Sequence, residues 1–553
     1  MIKSLIRIRL LILTLPFLFV LQISAQTVYN VKSYGAIGNG SVLETTKLQD
    51  AINACNSGGG GQVYFPAGTY KTTCLNLKSN VIIKIDPSAK IQASLNSTDW
   101  TGGPVFKATS LNNIGIIGTG TIDGGGTVFY ANGSQISGRK PQGIINFENS
   151  TNVIISGIRM QNAVAVTCKI VQCENVMVDS VIVRNPEFAI ARGTDGIDIN
   201  GGRYVIVQNV DVETGDDAIT IKPQGDAWSN PARPTHDITI KNSTVASTTN
   251  GIKIGTGTTD EAYNLYFTNI IVNKHSMTPN TGGRNPIASG NCQVALSLQS
   301  NDGGNIHDVI ASGFTINNCY MPFWLEVQSR SAITAFGHMD KVTLSDINCI
   351  RAEATANINV QNGARLNNIT LNNITIHNYE TYRGTTSPFW LDGSYPYGNS
   401  ISGKGLNLMP AFGLFARCVT GLKLTGTNRF YDDGNSGRTE TKYEDVTFVD
   451  TINSISSIQN YNEIKLAQNF PNPFSSSTNI LYKVPVNCHV KISIYDMPGR
   501  LITTLVDKDV ASIENSVSWN GKNYFGNASP NGIYFYTLET KNSILSNRMY
   551  LLK

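Results

Sequence analysis

Two short segments carry carboxylates at a spacing suited to acid–base chemistry: Gly193-Thr-Asp195-Gly-Ile-Asp198-Ile and Gly215-Asp216-Asp217-Ala-Ile-Thr-Ile. Asp195 and Asp216 lie 21 positions apart (216 − 195). That is about one coil of a β-solenoid, so the two turns are expected to stack. Adjacent strands sit about 4.8 Å apart, and carboxylates that close repel each other and separate their pKa values. A site that needs one protonated and one ionised carboxyl is made this way. Inverting hydrolysis of a glycosidic bond is such a reaction: one carboxyl protonates the leaving oxygen while another activates water on the opposite face. Asp216, flanked by two acids, is the expected holder of a raised pKa.

Alternation along the strands aligns the rungs. Asp195-Gly-Ile-Asp-Ile, Asp217-Ala-Ile-Thr-Ile and Asn250-Gly-Ile-Lys-Ile superimpose, with the isoleucines inward. The alignment stacks Asp195, Asp217 and Asn250 in one column and Asp198, Thr220 and Lys253 in a second, outward one. Asp216 is offset by one residue. Farther along, Ser297, Trp324 and Glu326 also point outward, which predicts a wall of acids, a lysine and a tryptophan. Such a surface suits an extended sugar chain. Asp198, Asn250, Lys253, Lys222, Trp324 and Glu326 are its candidate substrate contacts.

The elements that position these residues are legible as repeats. A polar residue followed by alternating apolar positions recurs at Asn113, Asn152, Asn175, Tyr204, Asp237, Asn264, Asp308, Lys341 and Asn368, roughly 23–44 residues apart. Short strands at this period without intervening helices predict an all-β, right-handed parallel β-helix. A propeller blade of four strands fits the period less well. An open solenoid end exposes strand edges, and residues 28–90 are the expected N-terminal cap. Within it, Leu48, Ala51, Ile52 and Cys55 have helical spacing. The catalytic domain is read as 26–452, followed by a Ser/Asn-rich linker over 453–465 and a small C-terminal β-sandwich domain over 466–553.

Composition narrows the function. Charged residues make up only 15% of 553, and the net charge is +4, which gives no argument for nucleic acid and at most a mild affinity for acidic substrates. Residues 1–25 have a basic start, an apolar run and a small-residue end, the pattern of a secretory signal. No later run reaches the ~20 apolar residues of a membrane span. The nine cysteines lack metal-ligand spacing and are expected to be mostly buried thiols. A secreted monomer that needs neither metal nor cofactor is the resulting expectation.

Several stretches together resemble the polygalacturonases, the pectin hydrolases of glycoside hydrolase family 28: Tyr34-Gly-Ala, Gln49-Asp-Ala-Ile-Asn-Ala-Cys, Gly59-Gly-Gly-Gln-Val-Tyr-Phe-Pro-Ala-Gly-Thr-Tyr70, Gly120-Thr-Ile-Asp-Gly-Gly, Thr194-Asp-Gly and Gly215-Asp-Asp-Ala-Ile. The resemblance implies Asp216 as general acid, with Asp195 and Asp217 holding the attacking water. It departs at two places. Thr249-Asn250-Gly251 stands where the family carries Gly-His-Gly. Of the family's Arg-x-Lys pair for the substrate carboxylate, Lys253-Ile-Gly255 keeps one cation, with Lys222 and Arg330 as further candidates. The C-terminal segment, with Gln468-Asn-Phe-Pro-Asn-Pro-Phe474, Ile494-Tyr-Asp-Met-Pro-Gly-Arg500, Trp519-Asn-Gly and Pro530-Asn-Gly-Ile-Tyr-Phe-Tyr536, resembles the sorting domain of type IX secretion cargo. That implies recognition by this machinery, export across the outer membrane, and release or surface attachment.

Two other functions use the same residues. In a polysaccharide lyase the aspartates bind Ca²⁺, and Lys222 or Lys253 abstracts the C5 proton beside a uronate carboxylate. In a glycan-binding adhesin the solenoid is catalytically silent.

Overall fold

The computed structural model describes residues 27–131, 134–135, 140–185, 193–224, 233–274, 292–328, 336–360, 364–379, 411–434 and 439–449, and most of 464–551. The signal segment, all of the linker but its last two residues, Arg330, and residues 225–232 and 275–291 fall outside the described residues. Contacts divide the chain into two units, residues 1–449 and 450–553.

The residue that opens each repeat explains the corners. All nine repeat-leading residues, from Asn113 to Asn368, adopt φ between 53° and 57°. This left-handed conformation costs an ordinary L-residue about 1–2 kcal/mol, and Asn and Asp tolerate it best because a short polar side chain can bond locally. The Asn side chains also bond from coil to coil. Asn113 Nδ2 donates to Asn80 Oδ1 (2.8 Å), Asn152 to Asn113 (2.9 Å) and Asn175 to Asn152 (3.3 Å).

Between corners the chain runs as short strands that pair in parallel with the coil before and the coil after. Cys168–Val171, Glu174–Asp179 and Ile182–Arg184 form the three sides of one coil. They pair with Ile197–Asn200, Arg203–Gln208 and Asp211–Thr214 of the next. Inward residues such as Ile197, Ile199, Ile219, Ile221, Ile252 and Ile254 are fully buried in one continuous core. The structure is thus the nearly all-β parallel solenoid that the period predicted.

Pairing begins inside the expected cap: Gly61–Phe65 already lies parallel to Val81–Ile85. The helix Thr45–Ser57 buries Leu48, Ala51, Ile52 and Cys55 against this first part of the core, as their spacing required. Cys168 and Cys173 are free, buried thiols. In the C-terminal unit, a three-stranded and a four-stranded antiparallel sheet surround a separate core that includes Trp519, Tyr536 and Leu551. No helix of the described residues is long and apolar enough to cross a membrane.

Candidate active site

The site lies on one side of the solenoid, on the sheet formed by Ile197–Asn200, Ile219–Lys222, Asn250–Ile254, Cys292–Ser300, Cys319–Val327 and Ala356–Val360. The register is the one alternation demands. Asp198 faces Thr220, Thr220 faces Lys253, Lys253 faces Ser297, and Ser297 faces Trp324. One turn earlier, Gly196 N donates to the Asp217 carbonyl and Ala218 N to that of Asn250 (both 2.9 Å), so Asp195, Asp217 and Asn250 follow one another up the stack.

Small residues after each polar one make this approach possible. A Cβ on Gly196 would lie 2.4 Å from the Ala218 carbonyl oxygen, and one on Gly251 would lie 2.7 Å from that of Ala295. Three consecutive hydroxyl residues then fasten the acidic turn from the next rung. Ser247 Oγ donates to the Asp216 carbonyl (2.7 Å), Thr248 Oγ1 to that of Gly215 (2.5 Å), and Thr249 Oγ1 to Asp217 Oδ1 (2.7 Å).

Asp217 is buried and densely contacted. Lys253 Nζ lies 3.0 Å from its Oδ2, and Asn250 Nδ2 lies 2.6 Å from its Oδ1. Burial pushes its carboxyl up, but the Lys253 ammonium and the hydrogen bonds from Asn250 and Thr249 outweigh burial and hold it below the usual aspartate range. Asp195 goes the other way. Burial, then the charge of Asp198, pushes it well above that range despite Lys222 at 3.1 Å. Elevation thus falls on Asp195, which the sequence reading treated as half of a water-holding pair. Asp216 is less buried than either. Its Oδ2 accepts from Gly193 N (2.5 Å), and its Oδ1 accepts from Asp217 N (2.9 Å) and lies 3.2 Å from Thr249 Oγ1.

The expected substrate contacts are placed as follows. Lys222 spans Asp198 (2.8 Å) and Asp195 (3.1 Å), and Lys253 is 2% exposed on Asp217. Both cations thus lie on aspartates in this structure. Asp198 is buried and accepts from Thr220 as well as Lys222. Asn250 orients Asp217. Trp324 is 3% exposed, in a satellite apolar cluster with Tyr320, Met321 and Phe415. Glu326 points outward in the strand pattern yet is 4% exposed, and burial pushes its carboxyl well above the usual range. The role of Thr249, which touches two aspartates, was missed. Its position directly before the Asn250 rung is the signal that could have found it. Among the described residues no group of three or more His, Cys, Asp or Glu side chains is arranged to hold a metal ion.

The class the fold and site define is a parallel β-solenoid with four aspartates on two neighbouring rungs of one sheet. The chain belongs to the glycosyl hydrolases of family 28, which residues 55–388 match, and residues 468–551 match the secretion system C-terminal sorting domain. That domain marks the chain for type IX export, to the cell surface or into the medium. The chain is similar to polygalacturonase QRT2 of Arabidopsis thaliana, with 28% identity over 270 residues, 46% of this chain and 57% of that one. It is also similar to exo-poly-alpha-D-galacturonosidase of Dickeya chrysanthemi, with 28% identity over 253 residues, 35% of this chain and 41% of that one. It therefore spans only part of these curated relatives' length. The family 28 exopolygalacturonase structure of Yersinia enterocolitica shares the fold, at TM-score 0.54 and 18% identity, over 76% of this chain and 78% of that one.

Proposed function

We propose that the protein is an exported hydrolase that cleaves glycosidic bonds in pectin or a related acidic polysaccharide, with inversion, through Asp216, Asp217 and Asp195. Asp216 donates the proton to the leaving oxygen, Asp217 takes the proton of the attacking water, and Asp195 holds that water from the neighbouring rung. The sorting domain supports delivery through the type IX machinery.

The arrangement around Thr249 carries this reading. Its hydroxyl touches Asp217 at 2.7 Å and Asp216 at 3.2 Å, but a hydroxyl has one proton to give. That proton goes to Asp217 over the shorter contact, which leaves the hydroxyl oxygen able to accept from Asp216 when Asp216 is protonated. A protonated Asp216 beside an ionised Asp217, the pair of acid and base that the reading needs, fits this single shared side chain. The lyase reading is weaker on a specific point: a lysine base must lose its proton readily, whereas Asp198 and Asp195 hold the Lys222 ammonium well above its usual range despite burial.

The test is release of reducing ends from polygalacturonate and from other acidic polysaccharides, with product anomers followed by NMR. Inverted anomers, loss of release in Asp216→Asn, and activity that survives chelation are expected. An unsaturated, ultraviolet-absorbing product indicates elimination instead. Wild-type protein that binds these polymers without cutting them indicates a silent glycan-binding surface.

A further inference from the structure

The same sheet continues past the aspartates into a wall of a different character. Two, three and four rungs beyond Asp217, the inward positions Leu296, Leu298, Phe323, Leu325 and Ile358 fill the core. The alternate positions present Ser297 and Gln299, then Glu326, then Asn357 and Asn359, aligned by register: Gln299 faces Glu326, and Glu326 faces Asn359. Ser297 and Gln299 are fully buried, Asn357 is 1% exposed and Glu326 is 4% exposed. Ser297 Oγ, both amide atoms of Gln299 and of Asn357, Asn359 Oδ1 and Glu326 Oε2 meet no hydrogen-bond partner among the described residues. Buried polar groups in native proteins are nearly always satisfied, so a row of orphans at rung spacing points to a partner that binds there.

The chemistry of the row selects the partner. Amides and a hydroxyl both donate and accept, which matches sugar hydroxyls. None of the outward residues named on these rungs is cationic; Lys253, which faces Ser297 from the rung before, holds its ammonium 3.0 Å from Asp217, and among the described residues Arg417 on the far side donates to the Val360 carbonyl. Burial favours the protonated form of Glu326, and a substrate carboxylate beside it would meet either a charge of its own sign or a lone neutral donor. In the opposite direction the outward column from Asp198 runs through Lys169, Asn146 and Lys107, which leaves the positive charge on the N-terminal side.

We propose that Ser297, Gln299, Glu326, Asn357 and Asn359 form a subsite for an uncharged sugar residue of the polysaccharide, on the C-terminal side of the aspartates. This rests on the hydrolase reading and narrows its substrate: the chain that is cut carries an uncharged sugar on one defined side of the bond.

The test uses polygalacturonate in which a fraction of the carboxyl groups has been reduced to primary alcohols. Wild-type protein is incubated with it and the new chain ends are identified by mass spectrometry. The uncharged residue is expected about tenfold enriched on one and the same side of the cut; equal distribution on both sides overturns the proposal. Binding of reduced and unreduced polymer to the Asp216→Asn protein is measured in parallel. Tighter binding of the reduced polymer, weakened at least fivefold by Gln299→Ala and by Asn357→Ala but kept by Glu326→Gln, supports the subsite. Equal affinities, or variants that retain wild-type melting but leave binding unmoved, overturn it and leave the wall merely hydrated. Absence of cleavage of every polymer sinks the hydrolase reading, while the binding arm still decides the subsite.

Discussion

Lys253 places its ammonium 3.0 Å from Asp217, with both side chains about 95% or more buried. Their attraction is the strongest charge contact that Asp217 has, and it comes from the next coil. Removing one partner of a buried pair leaves an uncompensated charge and typically costs about 3–5 kcal/mol. Lys253→Met is therefore expected to lower stability by about that much at neutral pH, read by urea unfolding. Asp217 is held below the aspartate range, so its contribution is full above the unfolded value of about 4 and is lost as pH falls through the folded value. The deficit of the variant should shrink in acid. A variant within 1 kcal/mol of wild type at pH 7 would falsify the account.

Asp195 has the opposite linkage. Its folded carboxyl binds protons more tightly than the unfolded one, so stability falls as pH rises from the unfolded value towards the folded one. Asp195→Asn mimics the protonated form. It should melt a few degrees higher than wild type at pH 7 and no higher near pH 3. It should also keep more activity than Asp216→Asn or Asp217→Asn, each of which loses a proton-transfer group worth about 10²–10⁴ in rate. Equal losses in all three variants would show that Asp195 works ionised.

Thr249 is expected to tune the pH profile. Thr249→Val removes a hydrogen bond that holds Asp217 down, so the acidic limb of kcat/KM should move to higher pH, with kcat reduced about tenfold or more. Thr249→Ser restores the hydroxyl and should restore the limb. A limb that stays put in Thr249→Val removes the residue from the proton bookkeeping.

Lys341 holds the left-handed corner at φ 53° with an exposed side chain and only long ion pairs to Asp308 (3.7 Å) and Asp340 (3.9 Å). Exposed pairs contribute little, so Lys341→Asn should stabilise the solenoid by about 0.5–1 kcal/mol, with no change in activity. Destabilisation would show that this corner is not under conformational cost.

What the chain order reveals is local and periodic. Asn113, Asn152 and Asn175 announced the corners because left-handed backbone selects Asn within a few residues. The columns Asp198–Thr220–Lys253 and Asp195–Asp217–Asn250 were legible because side-chain direction in a strand has period two. Outward, however, is not the same as exposed. Trp324 is covered partly by Phe415, far along the chain, and no local pattern encodes that. Charge pairing was hidden in the same way: that Lys222 lies on Asp195 and Asp198, and Lys253 on Asp217, is set by contacts between coils.

The stacking of one outward residue per rung has a consequence for how such a protein changes. Each coil touches only its neighbours, so on the proposed reading the wall is a row of separate contacts, about 4.8 Å apart, beside an aspartate cluster made by two coils. Under that proposal, replacing a single contact, as at Gln299 or Asn357, changes what the protein accepts at one place and leaves the aspartates alone. New specificities can therefore accumulate rung by rung without the chemistry being invented twice.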